Sequence, residues 1–374
     1  MSRARSFARG ALALLTASAL AVSGTVLGPA PAAEPGELEQ VGGIVLPETT
    51  SGVLDLAVSP DGTRAVAGGG EWLQGLALTD GDPKALGLST TIFGMEVEIS
   101  RDGRTAYVLS GGDTLFVVDI SGTGKPRVVR QLFRRKFSPS HAFGIEISRN
   151  GRFLYVKHGY VLGGYGSGKG IQVLSLAKPR KPRKVGHTDA PEWNGGIAVS
   201  RDGKHLVTSN QTVDNYLLQY RVNPRTGKPT RVKRLRLPFS GNAVAIDEQN
   251  RSAYVLSGMS ESTSLHLARL DLRKRRVVDR AQLAGQEQGL ALAVSSDGRI
   301  LYGTSWRTFP EDEQSFFTAD ARSLEGLFGI KGPGFYAPHA VAVSRSGDTK
   351  GHIYVPTYTG IMGGNPMLVV FRHP

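Results

Sequence analysis

The chain has 374 residues, with 45 Lys and Arg against 32 Asp and Glu, a formal charge of +13, and no cysteine. Without cysteine there is no disulfide, no thiol nucleophile and no Cys-ligated zinc, so the fold must rest on its own buried core. A cationic excess of this size favours polyanionic company: cell-wall polymer, acidic polysaccharide or nucleic acid.

Residues 1–32 read as a signal peptide. Arg3, Arg5 and Arg9 make a positive start, Ala11 to Val22 is a short apolar run, and Ala30-Pro31-Ala32 offers the small-x-small pattern of a cleavage site. The run is about half the roughly 20 residues needed to span a bilayer. No Cys follows it, so neither a transmembrane nor a lipid anchor is expected. The expectation is a chain released outside the cell, with a charge of +10 once the three arginines are removed.

Residues 33–374 then repeat one pattern seven times. LAVSPDGTRAVA begins at Leu56, VEISRDGRTAYV at Val97, IEISRNGRFLYV at Ile145 and IAVSRDGKHLVT at Ile197. VAIDEQNRSAYV at Val244 is a worn copy, LAVSSDGRILYG begins at Leu292, and VAVSRSGDTKGHIYV at Val341 carries an insertion. Counted from the turn residues Asp61, Asp102, Asn150, Asp202, Gln249, Asp297 and Ser346, the steps are 41, 48, 52, 47, 48 and 49 residues.

Each copy is an alternating apolar strand that runs into Ser-x-Asp-Gly. There the Asp side chain caps a tight turn and Gly supplies a positive φ. A second strand follows, and two more complete the unit, as Leu115–Asp119 and Arg127–Arg130 do in the second copy. Period-two alternation excludes a helical solenoid. Four short strands per 40-odd residues predict an all-β fold, a single seven-bladed β-propeller. The last copy holds only three strands, so the segment from Leu38 to Leu46 is expected to supply the fourth and close the ring.

The Ser-x-Asp-Gly-x-x-x-Tyr-Val pattern resembles bacterial YVTN-type propeller repeats. TLFVVDISGTGKPRVV from Thr114 and IQVLSLAKPRKPRKVG from Ile171 resemble the LVIVD repeat of bacterial surface proteins. The resemblance covers essentially all of residues 33–374. It implies the propeller fold and leaves function open, since such propellers include envelope binding proteins, lactonases and lyases.

Meander topology sorts the loops onto two faces. Turns between first and second strands, and between third and fourth, share one face that is crowded with bases. These include Arg101, Arg149, Arg201 and the run Lys178, Arg180, Lys181 and Arg183. They read either as solvated turns or as a docking face for an anionic polymer. With no aromatics between them, they argue against single-stranded nucleic acid. The opposite face collects Trp72, Trp193, Asn194, Trp306 and Tyr336, with Asn242 at the channel end. Long loops on a rigid scaffold are where ligand or partner sites sit.

The first strands line the axis, where Ala or Gly is the rule. Asp55, Glu96, Glu98 and Glu146 break it, all in the first three copies. They could hold Ca²⁺ through oxygen ligands, supply an acid–base pair, or simply be satisfied carboxylates in a hydrated channel. A catalytic reading needs Glu98, Glu146 or His141 to converge with His339 on one pocket. Two functions therefore stand. One is a monomeric, non-enzymatic scaffold docking to an anionic cell-wall polymer, a polysaccharide or another protein. The other is a lactonase-like hydrolase or lyase working at the axial mouth.

Overall fold

The computed structural model describes residues 38–47, 52–79, 82–92, 94–110, 114–132, 140–160, 170–189, 195–210, 215–258, 264–283, 288–306, 316–330, 339–357 and 366–373. They form 28 strands in seven four-stranded antiparallel sheets, each a meander of consecutive strands except the last. The protein is a seven-bladed β-propeller. The expected signal segment lies outside the described residues. Among these residues no helix is long and apolar enough to cross a membrane.

The inner strands of blades one to seven are Val53–Val58, Glu96–Ile99, Ser140–Ile147, Ile197–Val199, Gly241–Ile246, Gln288–Val294 and Ala342–Val343. The seventh sheet takes its fourth strand, Glu39–Val45, from the other end of the chain. It pairs antiparallel with Met367–Arg372, from Glu39 opposite Arg372 to Val45 opposite Met367. The expected closure is therefore present. Its cause is the unpaired edge that three strands alone would leave on blade seven.

The turns follow the sequence pattern. Ser59 Oγ donates to Asp61 Oδ1 at 2.6 Å and accepts from the Arg64 amide at 3.0 Å. Blades two, three, four and six repeat the first contact at 2.5 to 2.8 Å. Gly62, Gly103, Gly151, Gly203, Gly298 and Gly347 all hold φ between 66° and 76°. In the worn fifth copy Asn250 takes that place at φ 57°, and Asp247 replaces the serine, accepting from the amides of Arg251 and Ser252. Asn is the residue that best tolerates a left-handed backbone after Gly, so the turn survives its divergence.

Packing closes the ring. Buried side chains sort into seven clusters, and each bridges two neighbouring blades, including one between blades seven and one that joins Val53, Leu56 and Leu76 to Tyr354, Leu368 and Val370. A blade has two apolar faces and cannot bury both alone, so each seam depends on both of its neighbours.

Candidate functional site

Inner strands alternate between the seams and the axis. Residues such as Val97 and Ile99 point into the apolar seam, while Glu96 and Glu98, on the other face of that strand, line the channel half-buried. Three axial carboxyls then reach sideways to the next blade. Asp55 Oδ2 accepts from the Val97 amide at 2.7 Å, and Glu96 Oε2 from the Ile145 amide at 2.9 Å. Glu146 accepts from the Val199 amide. Blades one to four are thus tied in sequence by carboxyl-to-amide bonds. Glu98 makes no such bond among the described contacts.

Burial shapes their chemistry, because taking a carboxylate out of water favours its protonated form. It raises Asp55 to about 6 against the two backbone bonds that oppose it. Burial first, then the Asp55 charge, push Glu96 up to about 8. Glu98 is raised well above the usual range by burial and then by the Glu146 charge. Glu146 is raised by burial, with the Arg345 guanidinium opposing. One buried amine accompanies them. Lys157, 1% exposed on the second strand of blade three, donates from Nζ to the carbonyls of Gly195 and Ser209, each at 2.8 Å. Burial lowers it to about 7, against the pull of Glu96. A neutral amine retains two N–H donors, so both bonds to blade four survive its deprotonation.

Toward the turn face the channel widens into a cavity of about 760 Å³. Glu98 and Glu146 stand in its wall, and the residues that follow the turn serines, or Asp247 in the fifth copy, form its rim: Arg101, Arg149, Arg201, Glu248 and Arg345. Glu248, 8% exposed, is their internal counter-ion. It pairs with Arg345, with Arg201 at 3.2 Å and with Arg149 at 3.9 Å. None of these ion pairs has the alignment of a hydrogen bond. Arg101 turns aside to donate to the Asn150 carbonyl at 3.4 Å. At the rim four guanidiniums face Glu248, while Asp247, Glu98 and Glu146 also line the cavity.

A second cavity on the turn face, about 970 Å³, runs between blades four and five. Arg221, Arg251, Arg273, Lys274, Arg275 and Arg276 line it with Asp271. Arg275 sits in the left-handed region at φ 53°, inside the turn from Asp271 to Arg276. The run singled out from the sequence is exposed on a neighbouring turn of blade three. There Arg180 is drawn to Asp119 at 2.8 Å, while Lys178, Lys181 and Arg183 remain in solvent.

Other expected site residues fare differently. Trp72 is a core residue, 1% exposed, and not part of an open face. The Gly69 amide donates to the Trp72 carbonyl across a tight turn, and the indole lies where a side chain on Gly69 would be. Asn242 is also committed to structure: its Nδ2 donates to the Gly289 carbonyl at 2.7 Å, while its own carbonyl accepts from Ser209 Oγ at 2.8 Å. Trp193, Asn194, Tyr336 and the side chains of His141 and Trp306 lie outside the described residues.

Of the catalytic candidates, two stand in the wall of the turn-end cavity. Glu98 and Glu146 open at the turn end, whereas His339 precedes the inner strand of blade seven at the other end and does not line that cavity. Among the described residues no group of three or more His, Asp or Glu side chains could hold a metal ion. Of the calcium candidates Asp55, Glu96, Glu98 and Glu146, three reach for backbone amides of the next blade.

Lys157, Glu248 and Arg345 escaped sequence reasoning. Lys157 stands where other copies carry Gly68, Leu109, Ser209, Leu256, Thr304 and Pro356, and that contrast was the available signal. The rim could be read from the x of Ser-x-Asp-Gly, which runs Pro60, Arg101, Arg149, Arg201, Glu248, Ser296 and Arg345. No protein-family model matches the chain, and no curated protein sequence matches it significantly.

Proposed function

We propose that this chain is a secreted binding propeller, built from repeats of the YVTN and LVIVD kind, that docks to an anionic envelope polymer through its turn face. The supporting observation is the groove between blades four and five, where six arginines and a lysine share about 970 Å³ with a single aspartate. Like charges gathered on one rigid cleft raise the local concentration of a polyanion and orient it. Lys178, Lys181 and Arg183 extend the same face. The expected N-terminal signal segment is consistent with this address.

The test is adsorption to a poly(glycerol phosphate) wall polymer. Exposed charges are screened beyond about 8 Å at physiological salt, so adsorption should fall steeply between low and moderate ionic strength. Replacing Arg251, Arg273, Lys274 and Arg276 with Ser should weaken it about tenfold or more, since each 1.4 kcal/mol is a factor of ten. The Lys178, Arg180, Lys181 and Arg183 set should weaken it less. Salt-insensitive adsorption, or adsorption that survives the groove changes, would move the contact elsewhere.

A second reading, a hydrolase or lyase at the axial mouth, draws on one observation: Glu98 and Glu146 share their cavity with Arg345. Paired carboxyls with raised proton affinity suit acid–base work. If lactone or uronate turnover is found and vanishes in Glu98→Gln, this reading displaces the first.

A further inference from the structure

The rim of the axial cavity has chemistry that polymer docking does not require. Four blades each send one arginine to the same opening, from the same place in their repeat. Blade five sends a glutamate instead, and three of the four arginines crowd around it. Beyond the effect of burial, Arg149 is lowered by the charges of Arg201 and Arg101, and Arg345 by that of Arg149. The guanidiniums are therefore close enough to repel one another. Such a ring is held together at the cost of that repulsion, and any added anion relieves it.

We propose that the axial mouth is a binding site for a compact ligand bearing clustered phosphate groups, and that Glu248 occupies the position such a group would take. Guanidinium forks match phosphate oxygens in bidentate geometry, and tetrahedral phosphates offer oxygens in several directions at once. Converging forks from three blades, with Arg101 of a fourth on the same rim, fit that better than one planar carboxylate. The cavity, at about 760 Å³, is of small-molecule size. Glu98 and Glu146 stand in its wall, where burial raises their proton affinity.

The site stands apart from the groove between blades four and five and does not depend on polymer docking. Tripolyphosphate and citrate serve as probes, titrated calorimetrically against the mature protein at fixed ionic strength. Tripolyphosphate should bind one to one and at least tenfold tighter than citrate. The double change Arg101→Gln and Arg201→Gln, both exposed, should weaken it by tenfold or more. Glu248→Gln should tighten it several-fold. Since that change leaves three guanidiniums facing one another, the variant should melt lower than the parent and gain more from added tripolyphosphate. Arg273→Ser with Lys274→Ser, in the groove, should leave the affinity unchanged while weakening polymer adsorption. The proposal is overturned by absence of stoichiometric binding, by citrate binding equally well, or by tripolyphosphate binding that follows the groove variants and ignores the rim.

Discussion

Blades one to four and blades four to six solve the same joining problem with different chemistry. In the first set, Asp55, Glu96 and Glu146 each take a backbone amide from the next blade, and Lys157 gives two bonds to backbone carbonyls. In the second, Ser209 and Asn242 do the work as neutral donors. Both arrangements satisfy the buried backbone, which is what a seam between inner strands requires. The difference is that ionisable ties couple the seam to pH and to nearby charge, and neutral ones do not. A fold that could use Ser and Asn everywhere has placed its ionisable groups on one side of the axis, where Glu98 and Glu146 also reach the open cavity.

The contrast presumes a closed ring, so the harshest way to break it is at closure. A chain beginning at Gly52 would lose the strand Glu39–Val45 and the burial of Val41, Ile44 and Leu46 at the seam of blades seven and one. Leu46, fully buried, contributes roughly 1.5–3 kcal/mol, and the partly buried Val41 and Ile44 contribute less. Calorimetry should show a melting temperature lower by about 10 °C or more, or no cooperative transition at all. Unchanged melting would mean that the strand is an ornament.

A milder test sets one tie against another. Lys157→Met leaves two buried carbonyls without donors and should cost about 3 kcal/mol, at 1–3 kcal/mol for each orphaned group. Asn242→Ala removes a single neutral bond and should cost about 1 kcal/mol. Denaturant unfolding of both variants would measure the gap. Equal costs would abolish the distinction between the two halves.

The subtlest effect is a pH slope. Glu96 is raised from 4.5 to about 8, so the folded chain holds a proton that the unfolded chain has lost. Its contribution is complete below 4.5 and disappears as pH rises through 8. Asp55 behaves likewise between 3.8 and about 6. Lys157, lowered from 10.5 to about 7, adds stability as pH climbs from 7 to 10.5. The lowered histidines His205, His266 and His339 favour the fold as pH rises toward 6.5. Between pH 6.5 and 8, therefore, the raised carboxyls Glu96 and Glu146, each pushed up to about 8, outnumber Lys157, and the melting temperature should fall. Glu96→Gln should flatten that fall, and Asn242→Ala should leave its slope alone. A melting temperature that rises through this window in the parent protein would refute the assignment.

Much of the architecture was legible before any coordinates. The seven repeat copies, their spacing and the three-strand final copy determined the blade count, the turn conformation and the closing strand. These are local or periodic properties: a turn needs its Asp and Gly within a few residues, and a strand needs only alternation. The axial carboxylates were legible for the same reason, as breaks in a column of Ala and Gly. What each one touches was not. Asp55 and Val97 are 42 residues apart, and Glu96 and Ile145 are 49 apart, so their bonds exist only once neighbouring blades are side by side. Trp72 misled for a related reason, since a loop tryptophan looks exposed until the chain packs over it. Tertiary structure alone gathered Arg101, Arg149, Arg201 and Arg345 around Glu248, because only ring closure brings the same turn position of separate blades to one opening.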